Sequence, residues 1–258
     1  MTDVWLGQPA VTPDLAEEIE KLGYDAVWLG GSPAAELAVD PLLAATERLT
    51  VGTSIVNIWT ADPKQTAESF HRLESAFPGR FILGIGAGHK EATADYRKPY
   101  QALVDYLDAL DDAGVPKERR ALAALGPRVL ELARDRSAGA LPYLTTPEHT
   151  RTAREILGPD ALLVAEHKVA NSAESARTMV QRYLRLSNYV ANLRRLGFTD
   201  EELALPGSDR VVDALVLRGD VDTVAAQLRE HLAAGANRVA IQPLDDVVET
   251  LRAFAGRI

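Results

Sequence analysis

The sequence predicts an α/β fold, a (β/α)8 barrel of parallel strands. Two observations carry this. Short apolar strand patterns alternate with amphipathic helix patterns along the chain, and eight such strands occur with no Pro-, Ser- or Gly-rich linker between them. Strand–helix alternation implies parallel pairing through right-handed crossovers, and eight such units close a barrel. A doubly wound sheet of six or seven strands is the competing arrangement. At 258 residues, 47% of them apolar, the chain is long enough and apolar enough for one domain spanning 1–258.

The first strand is "DVWLG" (3–7), followed by a helix over 12–23 with Thr12 at its N-cap, Pro13 at its first position and Gly23 as terminator. "YDAVWLG" (24–30) is the second strand, and the next helix starts at Asp40, read as its cap. "TVGTSIVN" (50–57) is β-branched and apolar, hence a buried third strand, and Asp62-Pro63 opens the following helix. "RFILGIG" (80–86), "ALAAL" (121–125), "GALPYL" (139–144) and "ALLVAEH" (161–167) are the fourth to seventh strands, each separated from the next by a helix pattern. From about 172 to 219 the alternation gives way to extra helices. A helix at 222–235, the strand "RVAIQPL" (238–244) and a helix over 245–256 restore it.

Composition excludes several functions. The formal net charge of −9 argues against nucleic acid or an anionic membrane as a general partner. With no cysteine, disulfides, thiolate catalysis and zinc–cysteine sites are absent. "MTDVWLGQPA" lacks the basic and apolar regions of a signal peptide, and no run has the length of a membrane span, so a cytoplasmic location is expected. Five histidines without H-E-x-x-H or similar spacing predict no metal site.

Barrel sites gather where strands end, so the stretches after each strand are the candidates. Gly84, Gly86 and Gly88 form G-x-G-x-G ahead of His89, which is not the dinucleotide pattern G-x-G-x-x-G opening a helix. Their missing side chains let a flat ring lie against backbone, or simply permit a tight strand exit. Gly126, Pro127 and Arg128 stand at a helix start, where free N–H groups and the helix dipole favour phosphate. Thr145 or Thr146 caps the next helix and faces the same anion. Glu166, His167 and Lys168 end the seventh strand; since adjacent strand residues point to opposite faces, the three do not share one pocket. Trp28, Glu166 and Lys168 are the candidate substrate contacts.

The ordered set "WLG", "GTSIVNIWTADP", "PGRFILGIGAGH", "LAALGP" and "PYLTTPEHT" resembles the luciferase-like monooxygenase superfamily, and within it the coenzyme F420-dependent oxidoreductases of actinobacteria. The resemblance spans nearly the whole chain. It implies a barrel holding F420, or alternatively FMN, at its mouth. It also implies a cis peptide at Ser54–Ile55, Asn57 and Thr60 near the ring, Gly86 and Gly88 beside it, and Gly126, Pro127, Arg128 and Thr145 around the cofactor phosphate. His89 then takes a proton-handling position. The implied activity is hydride transfer between F420 and a small organic substrate; an FMN-dependent monooxygenase using oxygen and a non-catalytic F420-binding protein are the alternatives. A homodimer is expected on the same ground. One departure stands out: where sugar-phosphate dehydrogenases of the superfamily carry an acidic residue and a histidine, this chain has Gly31 and Ser32.

Overall fold

The computed structural model describes residues 1–31, 36–94 and 96–258; Ser32 lies outside them. β1 (Thr2–Gly7) leads into α1 (Pro13–Lys21), and β2 (Ala26–Gly30) is followed by α2 (Asp40–Ala44). β3 (Thr50–Ser54) and β4 (Val56–Asn57) precede α3 (Pro63–Ala76), and β5 (Phe81–Gly86) precedes α4 (Pro99–Asp112). Then come β6 (Arg120–Leu122), α5 (Pro127–Arg136), β7 (Gly139–Ala140), α6 (Pro147–Leu157) and β8 (Leu162–Val169). Four helices follow: α7 (Ala173–Tyr183), α8 (Ser187–Arg195), α9 (Asp200–Leu203) and α10 (Asp209–Leu215). After the two-residue β9 (Val216–Leu217) stand α11 (Val221–Ala233), β10 (Arg238–Pro243) and α12 (Val247–Phe254).

All pairings are parallel. β10 pairs with both β1 and β8, which closes the ring β1-β2-β3-β5-β6-β7-β8-β10 into eight staves. β4 continues β3 beyond a cis Ser54–Ile55 peptide and pairs with β5, while β9 flanks the end of β8. The fold is therefore the (β/α)8 barrel expected from the alternation.

Alternating strand residues divide the core. One set, including Val4, Leu6, Val27, Leu29, Leu83 and Ile85, packs outward against the helices. A smaller set fills the barrel itself: Ala26, Trp28, Ala121, Leu141, Val164 and Ala240. The helices α7 to α10 build a separate apolar cluster through residues such as Val180, Leu193 and Val211, joined to the barrel at Leu144 and Ala170.

Helix starts follow local chemistry where nothing distant competes. Thr12 and Asp62 cap α1 and α3, accepting from Leu15 N and Gln65 N. Asp40 does not cap α2: Val39 takes the N-cap position and the Asp40 carboxylate pairs with Arg72 of α3. β6 and β7 are shorter than "ALAAL" and "GALPYL" suggest, because the chain leaves the ladder early for loops at the barrel mouth. No helix among the described residues is long and apolar enough to cross a membrane.

The junction of β3 and β5 is tightly packed. Thr53 Oγ1 donates to the Gly84 carbonyl and accepts from Gly84 N, both at 2.8 Å. A Cβ on Gly84 would lie 1.8 Å from the Thr53 carbonyl oxygen, so a backbone must move to admit one. Gly84→Ala is expected to destabilise the fold by about 3 kcal/mol, the upper range for overpacking, measured by urea unfolding; a loss near zero would show that the strands part freely here.

Candidate active site at the barrel mouth

The C-terminal strand ends carry the residues picked out above, and several of them meet there. Ser54 accepts a 3.0 Å hydrogen bond from the Trp5 indole, and the Trp5 ring lies where a Cβ on Gly30 would be. Ile55 covers Gly86, its Cγ1 lying 3.1 Å from the position a Gly86 Cβ would take. Asn57 folds back, accepting from Trp59 N, and its amide fills the space beside Gly88, whose φ of +60° also favours glycine. The glycine run is thus explained by neighbours at each position: β3 backbone at 84, Ile55 and Ala123 at 86, Asn57 at 88.

His89 is half-buried just beyond this run. Its Nδ1 lies 3.1 Å from Asn188 Oδ1, and its ring packs on Tyr189 at 5.3 Å, both residues belonging to α8. With Oδ1 as acceptor, Nδ1 carries the proton, and the neutral ring keeps a lone pair on Nε2. Glu91, two residues on, accepts from the first backbone N–H of α8, at Ser187.

Glu166 and Lys168 both point into the barrel, and His167 points out, as strand alternation requires. Lys168 is fully buried and donates to both Glu166 oxygens at 2.9 and 3.1 Å, while Glu166 also accepts from Leu144 N. The Lys168 ammonium sits 3.7 Å from the centre of the Tyr143 ring. Burial lowers the Lys168 pKa, opposed by the Glu166 charge. Tyr143 bonds onward to Tyr183 Oη and Gln242 Oε1, and Tyr143, Tyr183 and Tyr189 pack ring against ring. Burial, with the Glu166 charge, raises the Tyr143 pKa well above its ordinary value, so this phenol stays protonated.

A second cluster lies at the starts of α5 and α6. Neither Gly126 nor Thr146 caps its helix through a side chain, so the first-turn N–H groups of both helices are left to other acceptors. His149 Nε2 donates to the Leu125 carbonyl and ties the two helix starts together. Arg195 of α8 reaches in: its Nη2 lies 3.7 Å from where a Gly126 Cβ would be and donates to Asn192 Oδ1. Its charge adds to burial in lowering the His149 pKa. Buried Thr145 Oγ1 and Asn192 Nδ2 have no hydrogen-bond partner among the described residues, and Arg195 pairs with no carboxylate among them. This donor set suits a phosphate.

Three further expected site residues have other neighbours in the structure. Trp28 is 1% exposed, covers Gly52 and donates to Asp3 Oδ2 at 2.8 Å, so it fills the barrel and presents no surface to a substrate. Arg128 is exposed on the outer side of α5, stacked 4.2 Å over the Tyr100 ring. Thr60 is exposed, with its hydroxyl on the Asn57 carbonyl. Arg195, Asn192, Asn188 and the three tyrosines were not foreseen; they come mostly from the helical segment, whose pattern signals only packing. Among the described residues no cluster of His, Asp and Glu is placed to hold a metal ion.

The fold and this mouth define a barrel whose site is assembled at the C-terminal strand ends, with a phosphate-sized donor cradle at one side. The sequence model of the luciferase-like monooxygenase family matches residues 6–114. The 4-hydroxyprotoasukamycin monooxygenase of Streptomyces nodosus subsp. asukaensis is 24% identical over 231 residues, 72% of this chain and 60% of that protein. The F420-dependent glucose-6-phosphate dehydrogenase of Intrasporangium calvum is 36% identical over 92 residues, 31% of this chain and 28% of that protein. Among solved structures, an F420-dependent secondary alcohol dehydrogenase in complex with an F420–acetone adduct superposes with a TM-score of 0.78 at 15% identity, covering 100% of this chain and 98% of that one. The oxygenating constituent of 3,6-diketocamphane monooxygenase from Pseudomonas putida, in complex with FMN, gives 0.70 at 15% identity, covering 100% and 97%. At such identities the structural likeness is one of fold. The chain thus resembles luciferase-like monooxygenases in sequence over residues 6–114 and shares its (β/α)8 barrel with both solved structures.

Two buried groups away from the mouth, Asp3 at the start of β1 and His231 in α11, titrate in opposite senses. Burial raises the Asp3 pKa from 3.8 to about 6, although Arg238 and Trp28 bond to it. Burial lowers the pKa of His231, which bonds to His167, from 6.5 to about 4. Between about pH 4 and 6 the folded state holds the Asp3 proton that the unfolded chain has released, so Asp3 adds stability as pH falls. Over the same range the unfolded chain protonates His231 first, so the histidine removes stability as pH falls. Asp3→Asn deletes the first slope only. Its urea stability should therefore drop more steeply than wild type from pH 6 to pH 4, by roughly 2–3 kcal/mol; parallel slopes would refute the opposition.

Proposed function

We propose that the chain is an oxidoreductase that binds coenzyme F420 at the barrel mouth and exchanges hydride with a small organic substrate. The observation that carries it is the cradle of two uncapped helix starts, two unpartnered buried polar groups and Arg195, beside a mouth lined by Trp5, Tyr143 and His89. The cradle fits a cofactor phosphate. F420 is preferred to FMN because the F420-dependent relatives are 32% to 36% identical to this chain over the 92 residues they share with it. The curated relatives are matched over 60% of their length or less, so the reading rests on the site as much as on them.

When bound, the cofactor supplies a ring that takes up or gives hydride; the protein supplies position and proton handling. Arg195, Asn192, Thr145 and the helix starts would hold the phosphate, and Ser54, Ile55 and Gly86 would form a wall beside the ring. Asn188 fixes the His89 tautomer so that Nε2 accepts the proton an alcohol substrate loses as hydride leaves, or returns it in the reverse direction. Tyr143 and Tyr183, held protonated, serve as donors and help exclude water.

Titrating the purified protein with F420 and with FMN, followed by fluorescence, tests the cofactor. F420 should bind the tighter; tight FMN binding with no effect of F420 would replace this reading by the monooxygenase one. Arg195→Ala should weaken F420 about 10- to 100-fold, the worth of a charged hydrogen bond, while Arg128→Ala changes it little. His89→Ala should leave F420 affinity intact and lower turnover about a hundredfold or more. Unchanged turnover across active donors would remove His89 from the chemistry, and binding without turnover by the wild type would mark a cofactor-binding protein.

A further inference from the structure

Outside the barrel, between α6, α10 and α11, lies a cleft of about 460 Å³. Its floor includes His167, the outward residue of β8, and its walls include Phe198 and Leu217. His167 is 3% exposed and bonds through Nδ1 to His231 Nε2 at 2.8 Å; His231 Nδ1 in turn meets Thr150 Oγ1 at 2.7 Å. The opposite edge of the His167 ring ends in Nε2, which is buried and has no partner among the described residues. Thr146, 5% exposed, also lines the cleft with an unpartnered hydroxyl.

Among the described lining residues, the charges left without an ion pair are of one sign. Arg210 is paired with Glu202 and Asp213 with Arg218, which leaves Glu148 and Glu230 as lining carboxylates with no ion pair among the described residues. Both histidines are kept neutral by burial. The hydrogen-bond chain has two self-consistent directions. In one, Thr150 donates to the Thr146 carbonyl, His231 Nδ1–H to Thr150, and His167 Nδ1–H to His231, so that His167 Nε2 is an acceptor. In that direction His167 Nε2 offers its lone pair to a donor ligand.

We propose that this cleft is a second binding site, for a small organic ammonium: its N–H groups meet His167 Nε2 and the Thr146 hydroxyl, its charge faces Glu148 and Glu230, and its apolar body packs on Phe198 and Leu217. The cleft meets the cofactor cradle at the start of α6, through Thr146 to Glu148, but its occupancy does not require the cofactor assigned above.

The probe is n-butylammonium, compared with 1-butanol and butyrate, read on the ring ¹⁵N resonances of the five histidines. Butylammonium should shift His167 and His231 saturably, leave His71 and His89 unmoved, and bind about fivefold more weakly to the Glu148→Gln/Glu230→Gln variant. Both carboxylates are exposed, so that variant keeps the fold. His167→Gln should abolish the saturable shift at His231. Equal binding of 1-butanol, tighter binding of butyrate, an unchanged affinity in the double variant, or no saturable shift with any probe would each overturn the proposal.

Discussion

The two hydrogen bonds between Thr53 and Gly84 are the constraint on which the mouth depends. At that point β3 gives up regular pairing with β5, whose register is formed lower down at Val51↔Phe81 and Gly52↔Ile82. The Thr53 hydroxyl satisfies both polar groups of Gly84, so the ladder is interrupted without leaving buried donors unpaired. The chain then turns through Ser54–Ile55 and resumes pairing at Val56↔Ile85. That interruption is what brings Ser54 to Trp5 and Ile55 over Gly86. A side chain at 84 would push β3 away and move every one of these groups.

If the β3–β5 junction shapes one wall, α8 unifies the rest. Asn188, Asn192 and Arg195 recur at spacings of four and three, which places them along one helix face. That face meets His89 at one end and Gly126 at the other. A single helix therefore contacts both His89 and the start of α5.

The sequence reveals what is local or periodic. The eight staves follow from apolar runs bounded by helix patterns, and the opposite facing of His167 relative to Glu166 and Lys168 follows from strand parity alone. Caps are legible where no distant partner competes: Asp62-Pro63 behaves as its motif predicts, whereas the same motif at Asp40-Pro41 loses its carboxylate to Arg72. What stays hidden depends on crossing long stretches of chain. Nothing near Gly126 announces that its cation is Arg195, and Arg128, adjacent in sequence, is drawn away by the Tyr100 ring. Trp28 looks like a ligand contact in "VWLG" because its burial under Asp3 and Arg238 is visible only once the barrel closes.

The buried Glu166–Lys168 pair sharpens the chemistry of the mouth. Two full charges out of water are costly unless each is closely matched; here the carboxylate takes Lys168 and Leu144 N, and the ammonium adds the face of Tyr143. The pair is electrically closed, so it contributes little net charge to a substrate above it. Its lasting effect is on the phenols: a carboxylate beneath Tyr143, Tyr183 and Tyr189 opposes phenolate formation in all three, and burial opposes it further. None of them is a base. Glu166 is committed to Lys168, and Lys168 to Glu166. Among the described residues at the mouth, His89 combines partial exposure with a ring nitrogen, Nε2, not engaged by Asn188.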